Sequence, residues 1–248
     1  MNSVLVKLFS VLFLVISPSV FSQSKEIKEY YENAQKFTDG KPLKLSFVQE
    51  EMKLVENFEG LQQIMLIRHG EPALNKKGWR KRKGAQDFIK AYDTVGVYTP
   101  EHIPVMLYEN EVKEIQTSSL ERSKHTARIL FGEGKTYVQD TIFREFERKI
   151  IGLPNIKLPL KFWLINSRIF WLLGMNKKGI ESFSAAKKRT KRAVIKLEGL
   201  AEERGKVVLV SHGFLNRYLV KYLKKNGWEV AHDGGKGYLA TWLLFKYE

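Results

Sequence analysis

The chain has 248 residues, is 44% hydrophobic and carries 42 Lys and Arg against 27 Asp and Glu, a formal net charge of +15. It has no cysteine, which excludes disulfides, Cys-ligated zinc and thiol chemistry, while its length suffices for one globular core with extra material. The cationic excess favours anionic partners: phosphorylated molecules, an acidic membrane surface or nucleic acid.

Residues 1–22 read as an export signal. Lys7 precedes the apolar run LFSVLFLVIS, Pro18 follows, and Val20 and Ser22 are small enough for cleavage after Ser22. The run is short for a membrane span, so an uncleaved anchor is the competing expectation. Residues 23–60 are expected to form a helical extension. KEIKEYYENAQKF makes one helix and TDGKP breaks it. Ser46 and Gln49 open a second helix in a capping-box pattern, and Gly60 ends it.

The main domain, residues 61–248, begins with the buried strand IMLI (64–67). KKGWRKRK (76–83) places six cations in eight positions and reads as a solvated basic loop able to draw in an anionic substrate. EVKEIQTS (111–118) is expected as a strand, SLERSKHTARILFG as a helix closed by Gly132, and KTYVQD (135–140) as a short strand. Residues 144–178 break this rhythm with an aromatic, proline-containing insertion. It fits a core helix, a lid over a pocket or an interfacial helix at a membrane. A long helix follows at about 180–204. Then come the Val-rich strand KVVLVS, the helix FLNRYLVKYL, the Gly-rich loop HDGGKGY (232–238) and the strand ATWLLFKY. Strands alternating with helices predict an α/β sheet covered on both faces.

Two of these strands end in the same way. IMLI runs into Arg68-His69-Gly70, and KVVLVS into His212-Gly213. In an open α/β sheet, ligands bind beyond the carboxyl ends of the strands, so the two histidines can meet there. A neutral imidazole is a good nucleophile towards phosphorus, and guanidinium groups grip phosphate in a two-pronged way. Arg68 and Arg122 are the candidates, with Ser118 and the free N–H groups of a helix start beside them. His212, protonated, would stabilise charge in the transition state. A carboxylic acid is needed to protonate the leaving alcohol.

These residues carry a family resemblance. LIRHGEPALN resembles the signature of the histidine phosphatase superfamily, which includes phosphoglycerate mutases and many phosphatases. Ser118, Arg122, Thr126 and Ala127 match its Ser-x-x-x-Arg-x-x-x-Thr-Ala segment, GIES (179–182) the start of its long helix, and VLVSHG its second-histidine motif. The resemblance implies a three-layer sandwich around a mixed, mostly parallel sheet. It implies His69 as nucleophile, Arg68, Arg122, His212 and Asn75 around the phosphate, and no metal or other cofactor. Glu145, the first glutamate beyond the expected strand, is the expected acid, with Glu147 its competitor. Glu71 is expected to orient or cap. Many members follow the first motif with Leu-Thr-x-x-Gly-x-x-Gln-Ala; here the Thr is missing and the Gly-Gln spacing is short, which argues against a mutase.

The expected function is an exported, metal-independent phosphomonoesterase acting on an envelope sugar phosphate or a scavenged phosphate ester. The alternatives are a phosphohistidine or phosphoprotein phosphatase of the same fold, and a non-catalytic basic binding module. An anionic membrane or envelope surface is a second candidate partner, and nucleic acid is disfavoured. His102, His125 and His232 match no metal spacing and are expected as surface or cap residues, Trp163 and Trp171 as packing residues.

Overall fold

The computed structural model describes residues 60–101 and 112–247. The expected signal, the expected extension up to residue 59 and His102 lie outside them. The described strands are β1 (Leu61–Arg68), β2 (Trp79–Arg80), β3 (Glu114–Ser118), β4 (Thr136–Asp140), β5 (Leu158–Pro159), β6 (Lys206–Ser211), β7 (Glu229–Asp233) and β8 (Thr241–Tyr247). The helices are α1 (Arg82–Thr94), α2 (Glu121–Phe131), α3 (Leu160–Leu172), α4 (Phe183–Arg204) and α5 (Gly213–Lys225).

Six strands form the main sheet in the order β4-β3-β6-β1-β8-β7. β1 pairs in parallel with β6, β6 with β3, and β3 with β4. β8 lies antiparallel to both β1 and β7, so it alone opposes the other strands of this sheet. This is the mixed, mostly parallel sheet that the family resemblance implies.

Side chains alternate across a strand, and here both alternations are apolar. Ile64, Leu66, Val207 and Leu209 pack with Ala193 and Leu197 of α4 and Leu215 and Leu219 of α5. Met65, Ile67, Val208 and Val210 are equally buried on the opposite alternation, and α2 packs against β3 and β6. Helices on both faces explain why the central strands read as continuous apolar runs. Ser182, the last residue of GIES, caps α4 by accepting the Ala185 N–H at 3.2 Å. Gly132 ends α2 at φ 72°, a left-handed conformation that disfavours other residues.

Two elements differ from the sequence reading. The basic run is not a loop throughout: Trp79 and Arg80 pair with Leu158 and Pro159, and Arg82 begins α1. The helix buries Ala85, Phe88 and Ile89, an i, i+3, i+4 stripe whose signal the surrounding cations mask. β7 is the second, an edge strand with a bulge between Val230 and His232. The bulge and the isolated buried Ala231 disrupt its alternation.

The insertion is a packed wall. Leu160 and Trp163 of α3 join Ala85, Phe88 and Ile89 of α1 and Ile150 and Ile151 in a second apolar cluster. Trp163 donates its indole N–H to Arg80 O at 2.8 Å, and Trp171 donates to Glu181 O at 2.7 Å. Both rings are buried packing residues, as expected. The other side of α3 leaves Phe162, Ile165, Ile169 and Phe170 exposed, with Leu173 just beyond the helix. Among the described residues, no helix is long and apolar enough to cross a membrane.

Candidate active site

β1, β3 and β6 run parallel, so their carboxyl ends share one edge of the sheet. Arg68, Ser118 and Ser211 are the last residues of these strands. The His69 N–H donates to Ser211 O at 2.9 Å, which carries the pairing one residue beyond β1. The Gly70 N–H donates to Thr126 Oγ1 at 2.9 Å, and the Thr126 hydroxyl donates to Arg122 O at 2.6 Å. The Thr of the Ser-x-x-x-Arg-x-x-x-Thr-Ala segment therefore clamps the peptide after His69 to α2.

His69 Nδ1 lies 2.8 Å from Gly70 O. A ring nitrogen facing a carbonyl carries the proton, so Nε2 keeps its lone pair. Burial, then the Arg122 charge, with smaller contributions from Arg68 and Lys76, holds the pKa of His69 well below the ordinary 6.5. The Gly70 carbonyl opposes this shift without reversing it. The favoured form at neutral pH is thus a neutral imidazole with a free Nε2.

His212 caps α5 from its N-terminal side, and its ring centre is 5.2 Å from that of His69. Its Nε2 lies 2.7 Å from Ser118 Oγ and 3.3 Å from Ser123 Oγ. Its Nδ1 is buried with no hydrogen-bond partner among the described residues. Burial, followed by Arg122, His69, Arg68 and Arg189, also pushes its pKa well below 6.5. The expectation of a protonated ring concerned the transition state; before an anion binds, the surroundings favour neutral His212, with Nδ1–H as a donor where Ser118 donates to Nε2.

The arginines arrive from separate elements. Arg68 donates to the carbonyls of Lys236 and Gly237, and its guanidinium sits 4.5 Å from the centre of the Tyr238 ring. It lies across the start of α5, where a Cβ on residue 213 would stand 2.9 Å from Arg68 Cδ; the close approach accounts for Gly213. Arg122 is 1% exposed, donates to Tyr92 O at 2.7 Å, pairs with Asp93 at 3.2 Å and stacks 4.5 Å from the Tyr92 ring centre. The Nε atoms of both arginines are buried without a partner among the described residues.

Three residues around His69 were not singled out from the sequence, although Lys76 begins the basic run and Tyr238 ends the Gly-rich loop. Lys76 donates to the Tyr238 hydroxyl and lies 4.4 Å from that ring's centre. Tyr92 and Tyr238 flank His69, their ring centres 6.5 Å and 6.0 Å away. Tyr92 extends the buried stripe of α1 by one turn from Phe88, so recognising that helix would have found it. Tyr238 ends a Gly-rich loop whose carbonyls hold Arg68, and no local pattern reveals that.

Glu145 lines the same cavity as His69, Arg68 and Arg122, a space of about 400 Å³. Its carboxylate accepts the Phe146 N–H at 2.9 Å and the Phe214 N–H at 3.3 Å, the latter at the first turn of α5. Glu147 also lines the cavity, but it pairs with Arg144 at 3.0 Å and accepts the Glu181 N–H. Behind both, Arg189 forms a two-pronged pair with Glu181 at 2.9 and 2.8 Å. The same guanidinium donates to the Ile142 and Arg144 carbonyls, both at 2.8 Å.

The remaining expected residues sit apart. Asn75 is exposed and accepts the Lys77 N–H at 2.8 Å, and it is not among the cavity-lining residues; Lys76 lines the cavity instead. Glu71 is exposed, and its carbonyl accepts the Tyr98 N–H at 2.8 Å. His125 accepts the Val97 N–H at 3.1 Å, a structural role. His232 lies on β7, its pKa lowered chiefly by burial. Among the described residues, no group of three or more His, Asp or Glu is arranged to hold a metal ion.

Comparison with known proteins adds to this geometry. The model of the histidine phosphatase superfamily (branch 1) matches residues 64–233. No curated protein matches the chain. A mycobacterial glucosyl-3-phosphoglycerate phosphatase structure is similar at 21% identity and a TM-score of 0.46, covering 75% of this chain and 90% of its own. A structure named mycobacterial hydrolase 2 is similar at 22% identity and a TM-score of 0.46, covering 76% and 83%. The α-ribazole phosphatase of Shigella flexneri is similar at 18% identity and a TM-score of 0.40, covering 65% and 79%.

Proposed function

Since the chain belongs to the histidine phosphatase superfamily and is a phosphatase, we propose that its substrate is a small phosphate ester and that the phosphoryl group passes through His69. One observation carries this reading. A neutral His69 with a free Nε2 stands among buried donors of Arg68, Arg122 and His212 that lack partners within the described chain. Leaving such donors unsatisfied costs about 1–3 kcal/mol each. An oxyanion bound against His69 supplies the acceptors they lack.

In the first step the Nε2 lone pair attacks phosphorus and the ester P–O bond breaks. Arg68 and Arg122 neutralise the charge on the phosphoryl oxygens, and His212 Nδ1–H donates to one of them. Glu145 gives its proton to the leaving alcohol, a contribution on the order of 10²–10⁴ in rate. In the second step Glu145 takes a proton from water, which attacks phosphorus and releases phosphate and neutral His69. Glu145 suits this role better than Glu147: both accept backbone N–H groups, but among the described residues Glu147 is ion-paired, with Arg144, and Glu145 is not. The cavity of about 400 Å³ has the size of a small-molecule site, which favours a small ester over a phosphoprotein. An envelope sugar phosphate and a scavenged ester both fit that class.

Export belongs to the same proposal and is supported by residues 1–22 as read from sequence. Contact with an anionic membrane is supported by the exposed apolar side of α3 and by Lys157, Lys161, Lys177 and Lys178 around it in sequence. The test of the catalytic reading is hydrolysis of p-nitrophenyl phosphate and a panel of phosphate esters in EDTA. Turnover that persists in EDTA and disappears in His69→Ala is expected. Turnover retained by His69→Ala overturns it.

A further inference from the structure

The cavity holds more cationic charge than one phosphate needs. Beyond Arg68 and Arg122, its wall carries Arg144, Arg148, Arg168 and Arg217. These come from three places: the segment after β4, α3 and α5. Their engagement differs. Arg144 is neutralised by Glu147 at 3.0 Å. Arg168 donates to the Phe146 and Glu147 carbonyls at 2.9 and 3.1 Å and rests 4.7 Å from the Trp171 ring centre, without a carboxylate partner among the described residues. Arg148 has a buried, unpartnered Nε. Arg217 is exposed.

Position matters as much as number. Arg148 and Arg168 both feel the charge of Glu145, and Arg168 feels Arg148 directly. The second cationic group is therefore gathered around the proposed acid. In the proposed reaction Glu145 faces the leaving alcohol, so whatever lies around it touches the alcohol portion of the substrate. Two guanidinium groups there face the single carboxylate of Glu145, and a buried charge left without its own counter-charge is costly. The strain shows on Arg168, whose pKa falls to about 10 through burial and the Arg148 charge. A bound anion relieves that cost.

We propose that the alcohol portion of the substrate carries a second anionic group, a phosphate or a carboxylate, received by Arg148, Arg168 and Arg217. The inference rests on the phosphatase reading above and deepens it. It divides the cavity into a reacting phosphate subsite at His69 and an anion subsite beyond Glu145. The neutral-alcohol ester of a matched pair is thereby a poorer substrate than its charged counterpart.

Two matched pairs test it on the full chain. 3-Phosphoglycerate against glycerol 3-phosphate adds a carboxylate, and fructose 1,6-bisphosphate against fructose 6-phosphate adds a phosphate. The readout is the ratio of kcat/KM within each pair. At least one ratio is expected to favour the doubly anionic ester by about tenfold to a hundredfold, the effect of one or two charge-assisted hydrogen bonds. Which pair shows it identifies the second group. Arg148→Met is expected to bring that ratio to within about threefold of one. Because Arg148 is partly buried and its loss can disturb folding, Arg217→Met on the exposed side of α5 repeats the measurement and is expected to lower the same ratio. Ratios near one in the unaltered protein, with p-nitrophenyl phosphate still hydrolysed, overturn the second subsite and leave the phosphatase reading standing. A preference unchanged in both variants overturns the assignment to these arginines. No turnover of any ester overturns both readings together.

Discussion

The proton on His69 decides the chemistry at the scale of single residues. Gly70 O fixes the tautomer, and burial with Arg122 fixes the charge state. His69 and His212 both have folded pKa values below 6.5. Below that pH the unfolded chain binds more protons, so stability rises with pH across the window and is lost as pH falls through it. Thermal melts should therefore be level above about pH 7 and fall on acidification below about 6.5. His69→Gln is expected to reduce the slope, and an unchanged slope would contradict neutral burial of this ring. Glu145 is tested by its leaving group. Glu145→Gln should slow hydrolysis of an alkyl phosphate by about 10²–10⁴ but affect p-nitrophenyl phosphate far less, because that phenolate leaves without a proton. A larger effect from Glu147→Gln than from Glu145→Gln would move the acid to Glu147. His69, Arg68, Arg122 and His212 were legible because they lie in compact motifs at strand ends or a helix start. Tyr92, Tyr238 and Lys76 were not, because they reach His69 from three segments with no shared spacing. Asn75 was placed beside the phosphate by resemblance alone, and here its side chain is engaged by the turn at Lys77.

At the scale of elements, α4 works as a frame for the acid. Arg189 ties Glu181, at the start of that helix, to the carbonyls of Ile142 and Arg144, immediately ahead of Glu145. The pair is nearly buried, with Arg189 8% and Glu181 11% exposed. Removing one partner leaves the other charge uncompensated, a loss of about 3–5 kcal/mol. Arg189→Leu is expected to show that loss in urea unfolding. It should also lower kcat on alkyl phosphates more than it raises KM, since Glu145 shifts while the phosphate grip stays. A stability loss with kcat unchanged would reduce the frame to a folding role. The sequence reading saw this helix and its GIES start, but the partner carbonyls lie 45 and 47 residues away, beyond any local pattern. The strands were legible for a simpler reason. Continuous Val- and Leu-rich runs report burial on both faces, whereas α1 hid behind its cations and β7 behind its bulge.

The whole molecule joins a cationic cavity to an apolar outer wall. α3 supplies both: Leu164 and Arg168 line the cavity, while Ile165 and Ile169 face outward. The proposed membrane contact would bring the cavity wall against the bilayer. The protein is expected to sediment with vesicles containing phosphatidylglycerol more than with neutral phosphatidylcholine vesicles, and less so at high salt. The double variant Ile165→Ser, Ile169→Ser should weaken this binding, and equal binding by the variant would remove α3 from it. The fold class was readable because the alternation of strands and helices is a property of the entire chain. The two faces of α3 were not separable in sequence, because its aromatic and aliphatic residues surround the helix. The central claim remains the phosphohistidine, and trapping it is the most direct measurement. The protein is mixed with a turned-over phosphate ester, quenched in alkaline denaturant and mapped by mass spectrometry. The account predicts an acid-labile, alkali-stable phosphoryl group on the peptide bearing His69. Hydrolysis that proceeds with that peptide unmodified at every quench time would contradict it.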